Sequence, residues 1–281
     1  MKSRFIWMVL ILFLYSVGAN ASGKGRFLSW GIDAIRNIEK TSQEDSDEVK
    51  TLKLKPIVQA IDLLDQTIEI KDDISNLLVE QDLFYMEIYE VFQGDFKKAA
   101  DFYWASTLGK HKVRLFLESG TGKSETIQVL KEDAGEALFI SDRVYESKLA
   151  FNSKVKTLLK RFDVPSMNRV IVVNQLVQDF GAALQEKGIQ KEGKKYHPVD
   201  YDLVVDMYQK IEDQKFLYCS FSSYLGQGFK TPYQSLNVAK GLGNILSFGS
   251  LQKKLRREIQ EGAVEAWQKR KKLLQEVFET K

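Results

Sequence analysis

Helix breakers are scarce in this chain: only four of its 281 residues are proline. The glycines leave long stretches in which apolar side chains recur every three and four residues, the spacing that lines one face of a helix. Strand signals are few, so the expected fold class is mainly α. Residues 26–40 read as a short amphipathic helix (Phe27, Trp30, Ile35, Ile38). The acidic run Thr41 to Glu48 then reads as a solvated linker, and Pro56 opens a second helix carrying Ile57, Ile61, Leu64 and Ile68. Residues 83–104 crowd together Phe84, Tyr85, Tyr89, Phe92, Phe96, Phe102, Tyr103 and Trp104. Their helical spacing favours core over a sugar-stacking platform. Val170 to Leu184 is apolar on nearly all sides and reads as a central buried helix. The run Val170-Ile171-Val172-Val173 alone would suit a strand, but the length of the stretch argues for helix. Leu251 to Phe278 forms a long amphipathic helix with Leu255, Ile259, Ala266, Trp267, Leu274 and Phe278 along one side. Its basic groups, Lys253-Lys254, Arg256-Arg257 and Lys269 to Lys272, make a solvated outer face or a surface for weak contact with an anionic wall or membrane.

The N-terminus carries an address. Lys2 and Arg4 form a basic start, Phe5 to Val17 an apolar run, and Ala19-Asn20-Ala21 a small-x-small cleavage site. The run is shorter than the ~20 residues a membrane-spanning helix needs, so a signal peptide removed after Ala21 is expected over an uncleaved anchor. The chain is then periplasmic or secreted, and with Ser22 rather than cysteine directly after the cleavage site it has no lipobox. Taking Lys2 and Arg4 from the 41 basic residues leaves them nearly balanced against 38 acidic ones. Together with export, that argues against a nucleic-acid partner. The single cysteine, Cys219, leaves the fold to be held by its core alone. His111 and His197 stand far apart without ligand spacing around them, so zinc and Ser-His-Asp chemistry are not indicated, and nothing points to a metal or organic cofactor.

The stretch His111 to Ser124 carries the most chemistry. It ends in Gly120-Thr121-Gly122-Lys123-Ser124, but a phosphate-binding loop needs glycine where Leu117 stands. The alternative places Val113, Leu115, Phe116 and Leu117 on a buried helix with Glu118 at its C-terminal end. Apolar surroundings and the negative end of the helix dipole both raise a carboxyl pKa. A carboxylic acid still protonated near neutral pH can protonate the leaving oxygen of a glycosidic bond. A plain helix-terminal glutamate beside Lys112 or Lys123 is the competing interpretation.

Glu118-Ser119 resembles the Glu-Ser pair of the lysozyme-like glycoside hydrolases, which include goose-type lysozymes and soluble lytic transglycosylases. The run Gly135-Glu136-Ala137-Leu138-Phe139-Ile140-Ser141-Asp142-Arg143-Val144-Tyr145 is similar to the goose-type Gly-Phe-Gly-Leu-Met-Gln-Val-Asp-Lys-Arg-Tyr. Ser222-Ser223-Tyr224-Leu225-Gly226-Gln227-Gly228 resembles the family's Ala-Tyr-Asn-Ala-Gly-x-Gly element. The resemblance implies Glu118 as general acid, Asp142 as the group positioning water, and Tyr224 as support for the glutamate. Ser119, Phe139, Ile140, Tyr145 and Tyr224 would line the sugar cleft. Phe139-Ile140 replace Met-Gln, Leu225 replaces Asn, and Lys131 stands at an acidic position, beside Glu132 and Asp133. With a second carboxylate the reaction is hydrolysis; with Glu118 alone it is transglycosylation. Each residue also has a structural role open to it: Asp142 as a helix cap, Tyr224 and Phe139 as core, Ser119 with Gly120 as a helix stop.

The expectation is thus an exported, mainly α-helical protein acting as a monomer. It would have a signal peptide at 1–21, an N-terminal helical extension and linker at 22–82, a lysozyme-like domain at 83–245 and a C-terminal amphipathic helix at 246–281. It would cleave β-1,4 bonds of peptidoglycan glycan strands. The alternative is a non-catalytic helical cell-wall-binding or periplasmic scaffold protein, favoured by Ile140 and Leu225 in place of polar cleft residues. A membrane-surface role for the basic C-terminal helix is a third reading.

Overall fold

The computed structural model describes residues 37, 40–42, 44–55, 76–80, 83–118, 122–146, 152–226 and 264–278. The chain divides into two compact units, residues 1–69 and 70–281. In the first, residues 47–55 form helix α1. The Ser46 Oγ accepts the Val49 N–H at 3.3 Å at its start, and Asp45 accepts from the Ser42 N–H at 2.8 Å and the Lys53 ammonium at 2.7 Å. The acidic run expected as a linker therefore starts a helix, because Ser and Asp satisfy amide hydrogens that a helix start leaves open. The signal segment, most of the 26–40 helix and the helix opened by Pro56 lie outside the described residues.

The second unit overturns the mainly-α expectation. Its framework is an antiparallel eight-stranded sheet: β1 (Asn76–Glu80), β2 (Leu83–Gln93), β3 (Gly122–Asp133), β4 (Glu136–Tyr145), β5 (Ser153–Val164), β6 (Arg169–Asp179), β9 (Val199–Glu212) and β10 (Lys215–Gly226). Their order is β1-β2-β10-β9-β6-β5-β4-β3. A separate small hairpin joins β7 (Gln190–Lys191) to β8 (Lys194–Lys195). The helices are α2 (Phe96–Thr107), α3 (Leu115–Glu118), α4 (Gly181–Glu186) and α5 (residues 264–278).

Each misread segment has a physical reason. The aromatic run 83–104 is cut by Gly94, whose φ of +131° favours glycine. Asp95 then caps α2, its Oδ1 accepting from the Lys97 and Lys98 amides at 2.7 and 3.1 Å. Aromatic density before that break belongs to a strand and after it to a helix. The run Val170 to Val173 is strand β6, not a central helix. All four residues are buried, so the two-residue alternation that marks a half-exposed strand is lost. The segment 135–145 is β4, with Ala137, Phe139 and Ser141 fully buried and Leu138 and Ile140 half-buried on the opposite side.

Strand register decides which side chains share a face. Val170 lies opposite Tyr208, Tyr208 opposite Tyr218, and Phe216 opposite Phe92; Ala137 lies opposite Leu159. These residues pack against Ala99, Ala100, Phe102 and Tyr103 of α2 and Trp267 and Leu274 of α5. Phe278 of α5 meets Phe92 edge-on at 5.5 Å, and Trp267 stacks on Tyr218 at 6.1 Å. Trp267, Leu274 and Phe278 of the stripe expected on the C-terminal helix therefore lie on the face that α5 sets on the sheet, while Leu255 and Ile259 lie outside the described residues. On the sheet's other face Phe162, Ile171, Met207 and Cys219 are buried as well.

Candidate functional site

The helix-facing side of the sheet is not uniformly apolar. Asp206 lies opposite Ser220 and Val172, Val204 opposite Ser222 and Asn174, and Phe139 opposite Thr157. Ser141 lies opposite Ile127 and Val155, and Arg143 opposite Glu125. Because opposed residues in an antiparallel pair point the same way, a band of hydroxyls, amide and charges runs across the face that carries Tyr218 and Phe139. Ser141, Thr157, Asp206 and Ser220 are buried within it. Among the described residues, Ser141 Oγ has no hydrogen-bond partner, while Asp206 lies between the Tyr218 hydroxyl, which it accepts, and that of Tyr103. Unpaired buried polar atoms each cost about 1–3 kcal/mol and are uncommon in a purely structural core.

At one end of the band Arg143 is held by the Glu125 carboxylate and the Phe116 ring. Its Nε donates to Glu125 Oε1 at 2.7 Å, while Glu125 Oε2 accepts from Arg114 Nη2 at 2.6 Å. The Glu125 carboxylate is 3% exposed. The Arg143 guanidinium lies 5.1 Å over the Phe116 ring, which meets Tyr145 edge-on at 5.1 Å. Gly122 makes room for that ring, since a β-carbon there would overlap Phe116. Burial opposes the charge of Arg143, but Glu125 and Tyr145 outweigh it and hold the guanidinium above its ordinary value. Among the described residues, no hydrogen bond engages its Nη1 or Nη2.

Across the face stands Asp202. Burial pushes its carboxyl up to about 6, and Arg143 partly offsets this through space. Arg143 is on β4 and Asp202 on β9, with β6 and β5 between them. In a flat sheet three strand steps span about 14 Å before any offset along the strands. The twist of the sheet and the length of the arginine side chain shorten that separation. Register shifts at Gly122/Ser124, Val129/Lys131, Lys156/Thr157 and Lys215/Phe216 supply local bends.

The other end of the band fastens α5. Asp206, fully buried, accepts the Tyr218 hydroxyl at 2.7 Å. Arg270 Nη2 donates to the same hydroxyl oxygen at 3.3 Å, and its guanidinium sits 5.8 Å from the centre of the Tyr103 ring. Burial, with the Asp206 charge next, raises the Tyr103 and Tyr208 hydroxyls; burial likewise raises that of Tyr218 against the pull of Arg270. All three phenols stay protonated. Lys271 adds an ion pair to Glu90 of β2 at 2.7 Å.

The residues singled out from the sequence are dispersed. Glu118 ends the four-residue α3 and is exposed, and Ser119 lies outside the described residues. Asp142 is on the side of β4 opposite Arg143. It accepts from the Tyr196 hydroxyl at 2.8 Å and pairs with the Lys191 ammonium at 3.2 Å. Burial, then Asp142, raises the Tyr196 hydroxyl. Phe139 is core beneath the helices, Ile140 faces the other way, and Tyr145 packs by Phe116. Tyr224 belongs to β10, its side chain outside the described residues. Glu132 pairs with Lys110, and Asp133 Oδ1 accepts the Ala134 amide at 2.8 Å in the β3–β4 turn. His111 Nδ1 accepts the Val113 amide at 3.1 Å, and burial lowers His197. Among the described residues no three metal-ligating side chains are grouped.

The lysozyme-like resemblance does not hold. Two of the three patches that carried it form strands β4 and β10 of one antiparallel sheet, where the resemblance implied a helical domain. With it fall the peptidoglycan glycosidase and the glycan strands as partners. Arg143, Glu125, Asp202 and Asp206 were missed, although one signal was present: charged residues an even number of positions apart bracketing an apolar run, as in Asp202-Leu-Val-Val-Asp206.

No family model matches the sequence, and no curated protein matches it. Solved structures show a distant likeness. The lipid transfer and protein localization domain of human StarD13 is 7% identical, with 80% of this chain and 98% of that one covered and a TM-score of 0.42. Human STARD10 is 9% identical over 76% of this chain and 79% of its own, with a TM-score of 0.37. Norcoclaurine synthase from Thalictrum flavum is 12% identical over 64% and 87%, with a TM-score of 0.32. None of these scores reaches 0.5, so the meaning of the site rests on its own residues.

Proposed function

We propose that this chain is an exported protein that binds a small organic molecule on the helix-facing side of its sheet. One observation carries the reading: the buried polar band of Ser141, Thr157, Asp206 and Ser220 in an otherwise apolar core, with Ser141 Oγ unpartnered among the described residues. Small-molecule sites combine apolar walls with a few converging polar groups, and Phe139, Val172 and Val204 supply apolar neighbours to these polar ones. The basic and apolar N-terminus with its Ala19-Asn20-Ala21 site supports export. A second reading is favoured by Asp202: a carboxyl titrating at about 6 suits general acid–base chemistry on the bound molecule.

The binding reading is tested with a neutral solvatochromic dye and two substitutions that fill the band, Ser141→Trp and Thr157→Trp. Dye emission should shift blue on binding to the native chain, with affinity at least tenfold weaker in both variants while each still unfolds cooperatively. Equal dye affinity in all three proteins would place binding elsewhere.

A further inference from the structure

We infer that the bound molecule is an apolar monocarboxylic acid whose carboxylate rests on the outer edge of the Arg143 guanidinium; this assignment rests on the small-molecule reading above. The head group follows from what Arg143 has already spent. Glu125 takes its Nε hydrogen and Phe116 lies beneath its plane. That leaves the Nη1 and Nη2 groups side by side, without a hydrogen-bond partner among the described residues. Two parallel N–H donors in a fixed plane match the two oxygens of a carboxylate. The side chain is 21% exposed, so the edge is reachable yet partly withdrawn from water, which strengthens a charge-assisted pair.

Charge balance separates a carboxylate from a phosphate. Glu125 is shared by two guanidiniums, Arg114 and Arg143, so this group of three carries one surplus positive charge. Asp202 acts on Arg143 through space only, with no hydrogen bond between them among the described residues. Once Asp202 has ionised, the two guanidiniums are balanced by two carboxylates, so a bound monoanion adds one net negative charge to the group and a dianion adds two, which favours the monoanion. Ser141, Phe139 and Thr157 lie farther along the same side of the sheet but are buried beneath the helices, so the body of such an acid would reach them only as the helices part from that face. Glu125 would then be a positioning residue, aiming the guanidinium without touching the ligand.

Titration calorimetry of the full chain at pH 7.5 tests this with matched probes below their aggregation limits: decanoate, decanol and decyl phosphate. Decanoate should bind most tightly. Arg143→Gln should weaken it by about 10- to 100-fold, the range for a lost hydrogen bond to a charged group, and leave decanol within about twofold. Arg143→Lys should recover only part of the loss, because an ammonium lacks the planar fork. Glu125→Gln should weaken decanoate and not decanol. If decanol or decyl phosphate binds as well as decanoate, or if Arg143→Gln weakens decanoate and decanol alike, the head-group assignment is overturned while the binding reading stands. If neither these probes nor the neutral dye binds the native chain, both readings fall together.

Discussion

Asp202 couples the stability of the fold to pH. Its carboxyl titrates at about 6 in the folded chain against an ordinary value of 3.8. Well below 3.8 both folded and unfolded chains hold the proton, so this group costs nothing. As pH rises toward 6 the unfolded chain releases it first, and stability falls until the folded carboxyl has ionised too. Asp202→Asn should therefore raise unfolding stability at pH 7.5 by about 1–2 kcal/mol, a value discounted because Asp202 keeps some contact with water and gives up its attraction to Arg143. At pH 4.0 it should change little. Urea denaturation at the two pH values decides: equal effects at both would show that Asp202 is not destabilised in its charged form. Asp206 differs, since the Tyr218 hydroxyl hydrogen-bonds it directly. Of these carboxylates, only their places in alternating runs hinted that they face inward. Which one is paired and which is crowded depends on Arg143 and Arg270, distant in sequence.

Among the elements, α5 was the most legible. Trp267 and Leu274 stand seven residues apart, two helical turns, and both are buried on the sheet. Its polar contacts were not legible, because Arg270 and Lys271 read as parts of a basic outer face until Tyr218 and Glu90 are placed beneath them. A solvated face would tolerate Arg270→Met. A buried one would not, since removing the cation leaves the Asp206–Tyr218 pair without its counter-charge. Thermal and urea unfolding of Arg270→Met should show a loss of about 3 kcal/mol, whereas a change within about 0.5 kcal/mol would return Arg270 to the surface. Strand β6 shows the opposite case. Its apolar run was visible, but a strand buried on both faces loses the alternation that would distinguish it from a buried helix.

At the scale of the whole molecule, the working unit is a sheet packed against helices, and its chemistry depends on strands that are remote in sequence. Arg143 and Asp202 act on each other through space only because β4 and β9 belong to one sheet. Export belongs to this scale as well. Expressed in a secreting bacterial host, the chain should accumulate outside the cytoplasm with Ser22 as its first residue, read by intact mass and N-terminal sequencing. Retention of residues 1–21 on the extracytoplasmic product would point to an anchor, and a cytoplasmic product of full length would end the export proposal.

The amino-acid sequence by itself determined the local features: the apolar stripe of α5 through Trp267, Leu274 and Phe278, and the near balance of charge. These depend on neighbours within a few residues, whose spacing the chain records directly. Only the tertiary structure decided that the segments around Phe139 and Val170 are strands and that Arg143, Asp142, Asp202 and Asp206 divide between two faces of one sheet. Strand pairing is non-local, and a one-residue change of register reverses every side chain. The grouping of Arg143 with Glu125 and Asp202 thus exists only once β3, β4 and β9 share one sheet.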